Sequence, residues 1–158
     1  MKRYLLLLGA LAVAALAFPA VASAQSGHFV TGGNNAPICT DIGTQLSCSG
    51  KVAGLGGTTF EIRVDATGIA NVTCANPGKN EDVPGQRKEI TASGSSGPLP
   101  TPRNGQFVFT GLMTQTPAAP ADSCPNPKWT ATVVDVEFTS ATLSLFEDGV
   151  LVDTFMVF

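Results

Sequence analysis

Apolar and polar residues alternate most cleanly over residues 58–65, TTFEIRVD. Phe60, Ile62 and Val64 point one way there, and Thr59, Glu61, Arg63 and Asp65 the other. A period of two marks a strand with one face in a core and one in water. Ala66-Thr67-Gly68 is expected to turn the chain, and residues 69–74 to return as the second arm of a hairpin, with Ala70, Val72 and Cys74 on one face. Further strands are expected at 45–55, 87–93 and 106–113, with a short edge strand at 28–31. Residues 129–138, 141–146 and 150–158 have the pattern of a three-stranded meander. Its last turn, Glu147-Asp148-Gly149, ends on a glycine free to take a positive φ. Polar or proline-rich loops at 76–86, 94–102 and 116–127 separate these segments. No window after Ala24 keeps a 3.6-residue apolar period free of Gly or Pro, so no helix is expected. About seven to nine short strands at this spacing predict an all-β fold, a single antiparallel β-sandwich.

The N-terminus changes the picture of where that fold resides. Met1-Lys2-Arg3 is basic, residues 5–18 are apolar, and Ala22-Ser23-Ala24 is a small-x-small cleavage site. This is the layout of a secretory signal peptide over residues 1–24, and the apolar run is short for a membrane span. The mature chain, Gln25–Phe158, is then expected outside the cytoplasm, secreted or at the cell surface. Residues 25–35, rich in Gly and Asn, should be a flexible lead-in and residues 36–158 one domain. Loss of Lys2 and Arg3 moves the formal net charge from −3 to −5. A mildly acidic surface argues against nucleic acid and anionic membrane, which both call for a basic footprint.

All four cysteines survive cleavage, and an even number in an exported chain predicts two disulfides. Cys39 and Cys48 flank a segment whose Asp41-Ile42-Gly43-Thr44 can reverse the chain, so these two should pair. Cys74 closes one expected strand and Cys124 precedes another, and each is followed by an Asn-Pro within two or three residues. Proline cannot continue a ladder, so both cysteines sit where the chain enters or leaves the sheet, and they form the second expected pair. A zinc site finds no Cys-x-x-Cys and only one histidine.

Candidate chemistry is sparse. His28, the only histidine, lies in the lead-in and is expected at the surface rather than in a catalytic triad. Glu61, Asp65, Asp135 and Glu137 lie on expected strands and are the carboxylates that a small secreted hydrolase would use, Glu61 with Asp135 for instance. Each alternates with apolar neighbours, as solvent-facing positions on a half-buried strand do. Asn80-Glu81-Asp82 offers oxygen ligands for calcium without the spacing of an EF-hand. Asn71-Val72-Thr73 matches a glycosylation sequon but falls inside a strand. No cofactor is expected.

VTCANPG…VPGQ and CPNPKWTATVVDVEFTSATLSLFEDG resemble segments of a group of small exported bacterial proteins of unknown function. In these a cysteine-bearing strand, an NPG-type loop and a CPN-x-x-WT strand recur. The resemblance implies an immunoglobulin-like or related sandwich and brings no activity with it. The expectation is therefore a non-catalytic module that binds an extracellular protein or glycan, or serves as structure. A secreted hydrolase and a subunit of a surface assembly are the alternatives.

Overall fold

The computed structural model describes residues 26–78 and 82–158. The expected signal peptide lies outside the described residues, as do Asn80, Glu81 and the side chain of Asp82. Among the described residues ten strands follow in order: β1 (His28–Phe29), β2 (Ile38–Asp41), β3 (Leu46–Ala53), β4 (Thr59–Ala75), β5 (Asp82–Pro84), β6 (Lys88–Ser95), β7 (Leu99–Pro100), β8 (Phe107–Met113), β9 (Thr130–Glu147) and β10 (Val150–Met156). The described fold is all-β, and every pairing is antiparallel.

Two sheets result. In the smaller one β3 is central, with β8 on one side and β2 and β1 end to end on the other. The larger one runs β10–β9–β4, and β7, β6 and β5 line up in turn along the remaining side of β4. It is curled rather than flat. The two sheets touch at both flanks. Phe29 N donates to Asp153 Oδ2 (2.8 Å) at one, and Gln115 N donates to Ser93 O (2.8 Å) at the other. At this second flank Gly94 lies so close to Met113 that a Cβ would run into the Met113 carbonyl oxygen.

The expected hairpin over 58–74 is a single strand. β4 runs straight through Ala66-Thr67-Gly68, and its even-numbered residues from Phe60 to Cys74 all face inward. Gly68 serves a close approach instead of a turn: an added Cβ would lie 2.7 Å from Glu137 O and 2.8 Å from Val136 Cγ1. The expected break at 139–140 is also absent, since β9 pairs with β4 from Thr130 to Glu147. Two register shifts in that ladder leave Val134 and Thr139 as extra residues, so the inward face of β9 passes from Val133 to Val136 and from Phe138 to Ala141. Each is a bulge, which bends the sheet and resets the alternation. The meander is therefore one long strand and one hairpin. Its turn has Asp148 and Gly149 at φ 47° and 81°, the two positive values of a type I′ turn.

The large core cluster takes side chains from both sheets, among them Leu46, Cys48, Val52, Phe60, Ile62, Val64, Leu143 and Leu145. Burial of such side chains contributes about 1.5–3 kcal/mol apiece relative to exposure. Phe29 belongs to this cluster at 3 % exposure, so packed chain begins ahead of the boundary expected at 36. β4 and β9, at 17 and 18 residues, outrun the strands of the small sheet, none of which exceeds 8. Their overhang holds a second cluster of Ala70, Val72, Cys74, Ile90, Ala92, Val133 and Val136. Ala119, Cys124 and Trp129, from the connection between β8 and β9, pack on it.

Candidate functional site

That connection is a lid. It covers the overhang where the small sheet does not reach, and a disulfide between Cys74 and Cys124 pins it to the inner face of β4. A backbone bond helps to seat it, Gln86 N donating to Ser123 O (2.8 Å), on a segment itself tied to β4 by Gly85 N donating to Val72 O (2.7 Å). Lys88 Nζ donates to Ala121 O (2.9 Å). A Cβ on Gly85 would sit 2.9 Å from Ser123 O and 3.0 Å from Cys74 Sγ, so only glycine lets the lid lie this close. Ser123 is buried, and its hydroxyl is occupied by donation to Pro120 O (2.7 Å). Asp122 takes φ 57°, a left-handed value that aspartate tolerates in turns. Asn126 ends the lid as a turn, with Oδ1 accepting from Lys128 N (2.9 Å) and O accepting from Trp129 N (3.0 Å).

The lid borders a groove of about 560 Å³ lined by Gln86, residues 120–127, Trp129 and Ala131. Trp129, the only tryptophan of the chain, is half-buried, one part packed on the second core cluster and one part on the groove. An aromatic face beside amide and carbonyl groups suits a flat, polar-edged ligand, and pockets of this size hold small molecules or short oligomers.

The second disulfide joins Cys39 to Cys48, directly opposed residues of β2 and β3. It closes a hairpin whose tip reaches the large sheet, where Gly43 O accepts Val136 N (3.0 Å) beside a bulge of β9. Both pairings follow the connectivity expected from the strand layout.

The strand carboxylates do not gather. Glu61 lies opposite Phe146 and Asp135 opposite Asn71, ten positions apart along β4, or about 33 Å at the rise of an antiparallel strand. A glycosidase pair needs a separation of about 5–10 Å, so Glu61 with Asp135 is not such a pair. Glu61 is engaged by Arg63, with Nε donating at 2.8 Å and Nη2 at 2.9 Å, and by Ser95 Oγ. The Arg63 hydrogen bonds first, and then the Ser95 hydroxyl, hold the Glu61 carboxyl below the usual carboxylate range. Arg63 also lies over the Phe146 ring, 4.3 Å from its centroid. Asp135 accepts from Asn71 Nδ2 (3.1 Å), which occupies the amide of the sequon, and Glu137 pairs with Arg87. Asp65 is exposed on β4, at a depression of about 350 Å³ that it lines with Thr67, Thr91, Ser93, Ser140 and Thr142. His28 is exposed, and its Nδ1 donates to Ser26 O (3.0 Å). Among the described residues no three His, Cys, Asp or Glu side chains gather as a metal site, and no helix is long and apolar enough to cross a membrane.

Sequence reasoning missed the groove itself. Residues 116–127 have the composition of a plain connection, and the signal within them was Cys124, because a cysteine in mid-loop must reach a partner. It also missed the Asp148 clamp, in which one carboxylate accepts from Thr58 N (3.0 Å) and Thr59 N (2.8 Å). No protein-family model matches the chain, and no curated protein is significantly similar to it.

Proposed function

We propose that this chain is an exported, non-catalytic β-sandwich module, immunoglobulin-like or related, that binds an extracellular glycan or protein through the groove beside Trp129. The observation that carries the reading is the lid. A covalent staple and a set of backbone hydrogen bonds hold a loop of low apolar content in one conformation beside the only tryptophan. Preorganisation of that kind lowers the ordering cost of binding. The carboxylates raised as candidate acids and bases are mostly engaged in surface ion pairs and hydrogen bonds, which supports binding over hydrolysis. Secretion is consistent with the two disulfides.

The test uses Trp129 as its own reporter. Titration of the mature protein with a panel of soluble oligosaccharides should give a saturable change in tryptophan fluorescence for at least one class. Gln86→Ala, at the groove wall and bonded to the lid only through its backbone N, should weaken that binding while leaving the fluorophore in place. Turnover of polysaccharide or ester substrates that disappears in Glu61→Gln would replace this reading with the hydrolase.

A further inference from the structure

Of the sheet edges, that of β8 has neither charge nor proline, and its one guard is a bulge near its end. Proteins protect exposed edges with charges, prolines and bulges, because an open row of N–H and C=O groups pairs with any extended chain. β10 carries Asp153 at a bulge, with its carboxylate turned onto Phe29 N. The outer side of β4 is lined by strands that hold Pro84, Lys88, Glu89 and Pro100. β2 and β1, on the far side of the small sheet, are short and carry Asp41 and His28. β8 reads FVFTGLM, with neither charge nor proline, and pairs only with β3 among the described strands.

The edge also opens onto a space. Where Met113 meets Gly94 the two sheets touch, and from there towards Phe107 they part. The result is a cleft of about 300 Å³ between β8 and the segment Ser95–Leu99. Its lining is uncharged, with Leu99, Phe107, Phe109 and Leu112 on the apolar side. The bulge at Thr110–Gly111, where Gly111 has φ 67°, interrupts the strand, so an added strand would pair along the arm before it.

We propose that this edge is a strand-addition site for an extended segment of another polypeptide, uncharged and apolar at alternate positions. Backbone pairing with β8 would hold the segment, and every second side chain would enter the cleft. The neutral lining selects against charged residues at those positions, because they would be desolvated without a partner. A second copy fits less well, because its own β8 comes flanked by β3 and faces its own Ser95–Leu99 segment. This site is separate from the groove beside Trp129, so either can fail without the other.

Three blocked heptapeptides test it by hydrogen exchange on the whole mature protein: one alternating valine and threonine, one the same but N-methylated at alternate residues, and one with aspartate for valine. The first should bind with Kd below about 1 mM and slow exchange of the amides in residues 107–110. The other two should not. Val108→Glu faces Lys51 across the ladder, so its neighbour is compatible, and it places on this edge the charge the other edges carry. It should weaken binding at least about tenfold, equivalent to 1.4 kcal/mol, with the melting temperature held. No binding of the first peptide at that concentration, equal binding of the N-methylated one, or protection elsewhere overturns the proposal. So does β8 protection that grows with protein concentration alongside dimers in sedimentation equilibrium, which would assign the edge to a second copy.

Discussion

Replacing Cys74 and Cys124 together by alanine should open the lid before it unfolds the sheets. The staple joins positions 50 residues apart, whereas Cys39–Cys48 joins positions 9 apart. In the chain-entropy treatment these closures contribute about 4 and about 2.5 kcal/mol at 25 °C. Each double replacement also removes one fully buried sulfur, Cys74 or Cys48, so the packing losses roughly cancel in the comparison. The Cys74/Cys124 variant should therefore be the weaker by about 1.5 kcal/mol, a sizeable part of a domain's usual 5–15. The structure adds a second expectation. Without the staple the lid keeps only a few backbone bonds and the contacts of Ala119 and Trp129, whereas the sheets keep the large core. Urea unfolding followed by Trp129 fluorescence should then precede the transition seen by far-ultraviolet circular dichroism. The two probes should coincide in the wild type and in the Cys39/Cys48 variant. The reasoning fails if the Cys39/Cys48 variant is the less stable, or if both probes coincide without Cys74–Cys124.

Gly94→Ala should cost about 2–4 kcal/mol, because its methyl group meets the Met113 backbone where the sheets touch, while Gly32→Ala, with nothing within 4 Å, should stay within about 0.5. Chemical unfolding of both variants checks the contrast. Gly68→Ala should cost about 1–3 kcal/mol, since the β9 backbone would have to shift away from the new methyl; a neutral result would mean that the bulge there is adaptable. The Asp148 carboxyl is held below its ordinary 3.8 by the Thr59 and Thr58 amides, so its stabilising effect is present above that pH and fades as pH falls through the lowered value. Asp148→Asn should thus melt below the wild type at pH 7, with the gap closing in acid; a gap unchanged down to about pH 2 would show that the clamp does not depend on charge.

The errors over β4 and β9 have one physical origin. A period-two pattern is read along one chain, but a bulge is a property of two. In β4 the phase was intact from Phe60 to Cys74, and only the turn-like triplet Ala66-Thr67-Gly68 argued for a reversal. Gly68 is small because the bulged partner passes within van der Waals distance of it, which no single-strand pattern records. In β9 the phase does slip, at Val134 and Thr139, and a slip along one strand resembles a strand end. The hairpin at Asp148-Gly149 was legible because its turn chemistry is local. The solvent side of Glu61, Asp135 and Glu137 was legible for the same reason. Their partners were only partly so: Arg63 is two residues from Glu61, but Asn71 and Arg87 meet Asp135 and Glu137 through cross-strand placement.

The lid explains why a cysteine, four prolines and the tryptophan fall so close together. The inner face of the overhang is built mostly from small and β-branched side chains, Ala70, Val72, Cys74, Ala92, Val133 and Val136 with Ile90 the largest, and has no aromatic side chain among them for a covering loop to bury. The loop has little to bury in return, because residues 114–128 contain no large apolar side chain. Ordering such a segment costs about 1–2 kcal/mol per residue in backbone entropy, and no comparable hydrophobic gain stands against it. Prolines reduce that cost by restricting the unfolded chain, and the staple reduces it further by shortening the free loop. Trp129 then supplies the one large contact where the lid rejoins β9. A lid held by covalent constraint more than by a core depends on an oxidising compartment in a way that the sheets do not. Reduction of Cys74–Cys124 would loosen the groove and leave the β-scaffold standing, so the proposed binding site exists only where the disulfide does.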